Sequence, residues 1–581
     1  MPQDNEQASG FDVRTRLSIG LTAHRDLVPE QEMDLRVAVR SLFARLQQDF
    51  PHLPLRLISA LAEGGDQLVA EEALALGIEL VVPLPMAQAE YERDFAATDT
   101  LARFRHLLAQ ARRVRVLPLA PGLSADDIAV RGEHRNRQYA QLGMFVSSHC
   151  QVLLALWDGN PSNATGGTAQ VVDFHLHNVM PALSIEQVAP NLLADDESDL
   201  VFHVSCSRRL AEGEPRLPPL QTQWLTLAGA EPGAEAMPPH YIHVFGQMQA
   251  FNEDMDRYAD GINAAWPALF DASIPAEPPP IAAKIERLFH AADWLAVHFQ
   301  QRVRRSLLCT HVIAALMGLA FILFSDVSAG RIYVVAFLVL FGLGWLLTLY
   351  GQHRQWQRKY LDYRGLAEGL RVQLYWRMAG VETPPNSSLG YDSFLQKQDV
   401  DLSWIRHTMR GTGLLRDEDY VADARWLKWV VHQWIGDRQG DGGQLAYFRR
   451  GSVRREQAFQ WTARLGNLAL AAGLAGAIAL LFGGDRITPG MQQQLVLLMG
   501  LLPLLAGIRE AYSYKKADKE LIKQFRFMSR LFESCRNRIS NAGSAAESRQ
   551  LLLALGRACL EEHAEWILLH RERPLEHAQM S

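Results

Sequence analysis

Two pairs of apolar runs in the second half of the chain limit what it can become. The first pair runs from Leu307 to Phe324 and from Ile332 to Tyr350, joined by the loop SDVSAGR. The second runs from Leu465 to Phe482 and from about Met491 to Ile508, joined by GGDRITPG. The first three runs are each about 18 or 19 residues, ~27 Å as helix, close to the hydrocarbon core of a bilayer. The fourth is weaker, because Gln492, Gln493 and Gln494 open it and Pro503 interrupts it. Gln sits readily among headgroups, and Pro is tolerated in membrane helices.

The charges around these runs separate membrane spans from buried soluble helices. Arg302, Arg304 and Arg305 precede the first run, and Arg354, Arg358 and Lys359 follow the second. Arg449, Arg450, Arg454 and Arg455 precede the third, and Lys515, Lys516 and Lys519 follow the fourth. Each short loop carries one basic residue, Arg331 or Arg486, together with an Asp. Basic flanks belong on the cytoplasmic side. The expectation is therefore a multi-pass protein of the plasma (inner) membrane, with four transmembrane helices in two hairpins and both termini cytoplasmic. Small residues in the third run (Gly466, Ala469, Ala472, Gly473, Gly476) are either a face for close helix approach or ordinary membrane composition. No charge lies deep in any run, which argues against a proton relay or ion-binding site. A pore would be weakly selective or hydrophobically gated.

Each hairpin returns into a helix with heptad spacing. Trp356, Tyr360, Tyr363, Ala367, Leu370 and Leu374 follow the first, and Leu521, Phe525, Met528, Phe532 and Cys535 follow the second. The chain thus contains the same unit twice. Each seam fits packing in the chain's own bundle or an oligomeric stalk, and a homo-oligomer is expected. Between the units lies a polar connector. Its Pro384–Pro385 pair and GDRQGDGG stretch mark loops, and WLKWVVHQW (Trp426 to Trp434) reads as a short amphipathic helix.

The formal net charge of -6 argues against a general nucleic-acid binder, so no nucleic-acid partner is expected. The cysteines Cys150, Cys206, Cys309, Cys535 and Cys559 are scattered without a CxxC pair, which indicates neither a zinc site nor a disulfide framework. No metal ligands and no resident cofactor are expected. The start, MPQDNEQASG, lacks the basic and apolar regions of a signal peptide.

The first half alternates strands and helices. RLSIGLTAHRDL (16 to 27) reads as the first strand, followed by a helix from about Glu30 to Phe50. Then come a strand (Leu55 to Leu61), a Glu-Gly-Gly-Asp turn, a helix (Gln67 to Leu76) and a strand (Glu79 to Leu84). RRVRVLPL is a weaker strand, CQVLLALWDG (150 to 159) a clear one, and Gly166, Gly167 and Thr168 open a helix. The natural fold is an α/β Rossmann-like, doubly wound parallel sheet.

Such sheets bind ligands at the carboxyl ends of their strands, where glycine-rich turns and helix N-termini attract phosphate. Three loops fall on that edge. The first holds Gly20, Thr22, His24 and Arg25. The second holds Glu63, Gly64, Gly65 and Asp66. The third holds Asp158, Gly159, Gly166, Gly167 and Thr168. Any one of them is as well explained by a tight turn; together they indicate a nucleotide-type site. Taken singly, His24 reads as a satisfied loop histidine, and Arg135 and Arg137 either reach an anion or, the favoured reading, belong to a solvated face.

The segments IGLTAHRDL, SALAEGGDQLVAEEALALG, LLALWDG and GGTAQVV together resemble the SLOG superfamily of Rossmann-like nucleotide-binding domains over roughly residues 11 to 180. SALAEGGD is similar to the matching loop of DNA-processing protein A, and GGT to the end of the lonely-guy phosphoribohydrolase loop. KYLDYRGLAEGLRVQLYW carries a likeness of the membrane half to SLATT modules, two-helix membrane units that accompany SLOG domains. The resemblance implies an effector of bacterial conflict systems, in which a soluble domain senses a nucleotide-derived signal and the membrane part perturbs the bilayer. The phosphoribohydrolase motif needs a catalytic Glu three residues after its Thr. Here that position is Val171, beside Gln170, and neither can act as general acid or base at neutral pH. Glu63 and Asp66 can instead hold a ribose, and no catalytic residue is assigned.

The expected organisation is a soluble domain (1–280), a linker helix with the first hairpin and its return helix (281–380), a connector (381–448), and the second hairpin with its return helix (449–581). The linker Ile281 to Ser306 reads as helix running straight into the first span. Three functions stay open: a nucleotide-gated membrane effector, a membrane-tethered enzyme cleaving a nucleotide at its N-glycosidic bond, and a passive scaffold with a degenerate pocket.

Overall fold

The computed structural model describes residues 13–120, 122–162, 164–177, 180, 199–210, 214–227, 236–265, 274, 278, 280–381, 394, 402–414, 424–436, 442–483 and 487–572. Expectations resting on Pro384, Pro385, Arg486 and most of the GDRQGDGG stretch lie outside the described residues.

The strands are β1 (Leu17–Ala23), β2 (Leu55–Ile58), β3 (Glu79–Leu84), β4 (Arg113–Val116), β5 (Val152–Trp157), β6 (Val201–Ser205) and β7 (Thr222–Leu225). They form one sheet in the order β4-β3-β2-β1-β5-β6-β7. Every neighbouring pair is parallel except β6–β7. The central strands are apolar without alternation because both faces are covered. Leu17, Ile19 and Leu21 face α1 (Glu32–Asp49) and α2 (Gly65–Ala75). Leu153 and Ala155 belong to a second apolar cluster with α4 (Glu133–His149) and α5 (Thr168–His177). Helix α3 (Thr98–Gln110) leads into β4, whose RVRV residues alternate between half-buried and exposed as at a sheet edge. The chain fills one side of β1 through β4, then crosses to start β5 on the other. The strand order therefore reverses between β1 and β5, where α/β sheets open a crevice.

The second half is two copies of one hairpin. Helix α7 (Pro280–Ile322) is continuous for 43 residues, about 65 Å, and carries the linker and first apolar run without a break. Helix α8 (Arg331–His353) returns, and α9 (Trp356–Ala379) packs back along α7. After α10 (Ser403–Gly413) and α11 (Ala424–Val430), the pattern repeats. Helix α12 (Gly443–Gly483) has 41 residues, α13 (Pro489–Lys515) returns, and α14 (Asp518–Ser540) packs back along α12. The return ends alike in both copies: Gln355 (φ 51°, ψ 35°) and Ala517 (φ 51°, ψ 39°) each take the left-handed conformation before the next helix starts. That conformation costs a side-chain-bearing residue about 1–2 kcal/mol. Its occurrence at the same joint twice supports an internal repeat more strongly than the heptad spacing did. Helix α15 (Ala545–Glu572) closes the bundle.

Four of these helices are long and apolar enough to cross a membrane, and at most 11% of any of their apolar windows is buried. Phe482 is 81%, Leu481 76% and Ile332 69% exposed. An apolar belt of this extent needs lipid around it, and the chain is a multi-pass membrane protein. Inside the belt the small residues matter: a Cβ on Gly473 would stand 3.2 Å from the Pro503 ring, and one on Gly318 would stand 2.3 Å from Leu504 across the two hairpins.

The heptad seams are consumed within the chain. Tyr360, Tyr363, Ala367, Leu370 and Leu374 are buried, but so are Leu361, Leu366, Val372 and Trp376 on other faces of α9. Phe525 and Phe532 of α14 pack on Phe448 of α12. The connector also departs from the expectation of polar loops, because Trp404, Ile405 and Met409 of α10 are fully buried. Helix α6 (Pro239–Arg257) lies between the sheet and these helices. Its Phe251 meets Tyr363 and Trp404 at ring-centroid distances of 5.3 and 5.7 Å, so one apolar core runs from the sheet into the bundle.

Candidate functional site

A cavity of about 700 Å³ opens at the crevice between β1 and β5, within the size range of small-molecule pockets. The residues after β1 enter it first. Thr22, His24, Arg25 and Asp26 line it, joined by Asp66 from α2, Asp158 after β5, and Gly166, Gly167 and Thr168 at the start of α5. The sequence placed all of these on this edge except Asp26.

Five expected residues serve the frame and are not among the cavity's lining. Gly20 lies within β1, where a Cβ would stand 2.7 Å from Cys150 Sγ and 2.8 Å from Val146, so its bareness seats α4. Gly64 has φ +78°, and a Cβ there would come within 2.3 Å of the Arg25 carbonyl oxygen. Gly65 would crowd Ala23, and its N–H donates to the His24 carbonyl at 3.1 Å. These two glycines hold the backbone that presents His24 and Arg25. Gly159 (φ +79°) makes the turn after Asp158. Glu63 accepts from the Ala96 N–H at 2.8 Å and the Thr100 hydroxyl at 2.6 Å, which commits its carboxylate to the start of α3 rather than to a ribose.

Arg25 is the dominant group. It is exposed to the cavity yet closely surrounded, and among the described residues it makes no ion pair. Its guanidinium lies 5.4 Å from the centroid of the Tyr139 ring. Burial disfavours its charge, but the Tyr139 hydroxyl and the Asp66 carboxyl beside it oppose that, and the guanidinium stays protonated. Tyr91 is 1% exposed and its hydroxyl has no hydrogen-bond partner among the described residues, an unusual state for a buried polar group. Burial raises Tyr91 well above the ordinary phenol range and Tyr139 to about 12, so both are neutral donors at pH 7. The Tyr139 hydroxyl donates a hydrogen bond to Asp94. The Tyr91 hydroxyl remains available, beside a guanidinium that pairs with no carboxylate.

The remaining polar groups are partnered. Burial lowers the His24 pKa, with Asp158 pulling it partly back. The neutral ring accepts the Asp158 N–H at Nε2, 3.2 Å away. Burial raises Asp26, but the Arg208 hydrogen bond (3.0 Å) and charge bring it below the ordinary range. Arg208 also approaches Asp158 at 3.9 Å. At the far wall Val171 is a lining residue, where the phosphoribohydrolase motif would have its Glu. Arg135 is a correction: it is buried, not solvated, and pairs with Asp94 (2.8 Å) and Glu90 (2.9 Å). Sequence reasoning missed Tyr91, Tyr139 and Arg208. The signal available was position, since Tyr91 follows β3 and Arg208 follows β6 on the same carboxyl edge. Among the described residues no group of three His, Cys, Asp or Glu side chains could hold a metal ion.

Asp66 gives the site a pH dependence. Burial raises its carboxyl to about 7, against the Ser59 hydroxyl (3.1 Å) and the Arg25 charge, which lower it. The folded pKa lies above the unfolded one, so the associated stability is complete below about pH 4 and is lost as pH rises through about 7. Ionised Asp66 also opposes an incoming anion at Arg25. Anion affinity should therefore fall severalfold between pH 6 and about 8, and Asp66→Asn should flatten that slope; equal slopes in titrations of the two proteins would refute the assignment.

The fold and cavity define a class: a membrane protein whose N-terminal α/β sheet domain carries a switch-point cavity and whose C-terminal domain is a bundle of long apolar helices. No family model matches the chain, and no curated protein matches it.

Proposed function

We propose that the chain is a nucleotide-sensing membrane effector. The reading is that a nucleotide-derived anion binds in the β1–β5 cavity and shifts the packing of the helical half, which reorganises or opens the membrane hairpins. One observation carries it: the buried Tyr91 hydroxyl, unpartnered among the described residues, beside Arg25, which makes no ion pair among them, opposite the glycine-rich start of α5. Donors of this kind without acceptors suit a phosphate-type group. The likeness to SLOG and SLATT proteins agrees, and with it a role in bacterial defence. The basic flanks support a cytoplasmic cavity and cytoplasmic termini. Coupling is supported by α7, which leaves the α/β core and enters the apolar belt as one helix. A homo-oligomer would need a surface other than the two heptad seams.

A thermal-shift panel on the purified full chain, with nucleotides and ADP-ribose-like compounds, tests the binding step. A ligand at 100 times its Kd adds about 2.7 kcal/mol. Gly167→Trp should abolish the shift by filling the cavity; a shift that survives it places the ligand elsewhere. A second reading, N-glycosidic hydrolysis, draws on Asp66, whose carboxyl near pH 7 in a cleft suits a general acid. Product formation abolished by Asp66→Asn would put that reading first.

A further inference from the structure

A second cavity, of about 630 Å³, lies between the two repeats. Its lining comes from both copies: α7 and α9 of the first, α12 and α14 of the second, and α15. Its height is fixed by residues next to the spans. Arg304 and Leu307 stand where the first apolar run begins, Lys515 and Lys516 end the helix that holds the fourth, and Arg455 lies ten residues before the third. Trp461 (63% exposed) precedes the third apolar run and Tyr514 (62%) follows the fourth, where aromatic side chains mark a headgroup region.

The walls are amphipathic. Leu307, Phe448 and Phe525 supply apolar surface. Cationic side chains outnumber carboxylates six to three. Two of the carboxylates are already neutralised, because Arg364 holds Asp293 and Glu368 at 2.7 Å each and Arg371 holds Glu368 at 2.8 Å. Burial pushes the third, Glu562, up to about 7, which weakens its competition for cations. Arg304 and Arg455 make no ion pair among the described residues, and Arg455 only lies over the Phe525 ring at 4.6 Å. A charged, part-apolar chamber that reaches the ends of the spans, with Arg304 and Arg455 left over though Lys516 is held by Asp518 at 3.2 Å, matches the chemistry of an anionic phospholipid.

We infer that this chamber between the repeats is a binding site for one anionic phospholipid, its phosphate at Arg304 and Arg455 and its glycerol and acyl portion against Leu307 and Phe525. The lipid would join the two copies where their basic ends converge. A soluble phosphate offers the same charge without the apolar part and would bind much more weakly.

The full chain is purified in detergent and titrated with phosphatidylglycerol, phosphatidylcholine or inorganic phosphate, with retained lipid counted by native mass spectrometry. Wild type should retain one phosphatidylglycerol, not phosphatidylcholine, and inorganic phosphate should not displace it at equal concentration. Arg304→Gln with Arg455→Gln should weaken retention roughly 30-fold, at about a fivefold loss per basic residue near the surface. Arg455→Lys should keep most of it, which separates lost charge from misfolding. Arg464→Gln, an exposed basic residue outside the chamber, should change nothing. Equal retention of the two lipids, displacement by phosphate at equal concentration, or equal losses from Arg464→Gln and the double variant would each overturn the assignment.

Discussion

Arg25→Gln lowers the affinity of the full chain for its anionic ligand about 100-fold while leaving the unliganded melting temperature nearly unchanged. The first part follows from the strength of hydrogen bonds to charged groups, about 1.5–3 kcal/mol each, which is roughly 10- to 150-fold in binding. The second follows from what Arg25 lacks: it makes no ion pair among the described residues, and it lies against the face of Tyr139. Arg25→Lys should recover the charge but not the two-pronged geometry, so its affinity should fall between the two. Isothermal titration with whichever ligand the thermal-shift panel yields measures all three. Unchanged affinity in Arg25→Gln would remove the anion from this end of the cavity.

Asp254→Ala destabilises the protein by about 3–5 kcal/mol, the usual result of removing one partner of a buried charge pair. Asp254 sits on α6 and is 1% exposed. Its carboxylate accepts from Lys359 Nζ at 2.5 Å and from the Tyr363 hydroxyl at 2.6 Å, both on α9. This is a polar contact between the α/β domain and the first repeat, set beside the Phe251–Tyr363–Trp404 rings. Without it the half-buried Lys359 ammonium is left unpaired against aromatic surface. Thermal denaturation should show the loss, and amide exchange in 239–257 should speed up more than in β1 or β5. Adding Lys359→Met to Asp254→Ala should restore part of the stability, because the orphaned charge goes too. Equal exchange in both segments would mean that Asp254 does not tie the halves together.

The sequence announced some features of this protein clearly and concealed others, for physical reasons. Strands β1 and β5 were legible because parallel strands buried on both faces read as apolar runs, LSIGLTA and VLLALW. Strand β7 was not, because TQWL is four residues with one fully buried side chain to anchor it. The four spans were legible from length, apolarity and flanking charge alone. Helix α10 was hidden in a stretch whose polar residues, such as Arg406 and His407, are buried beside Trp404. At the site, glycine turns located the right edge but not the right atoms. Gly20, Gly64 and Gly65 look like phosphate-binding glycines in sequence, yet their missing side chains make room for Cys150, Arg25 and Ala23. Tyr91 and Tyr139 look like ordinary helical aromatics, and only three-dimensional placement beside Arg25 gives them a role.

The central claim is that ligand in the α/β cavity changes the membrane half. Ion flux from liposomes carrying the full chain tests this most directly, with ligand added on the side of the α/β domain and Arg25→Gln as the control. The account predicts flux that rises with ligand, saturates at the concentration that saturates binding, and shifts to higher ligand with Arg25→Gln. A ligand that binds fully while flux stays at its unliganded level would contradict it, because a ligand moves such an equilibrium only through different affinities for the two states.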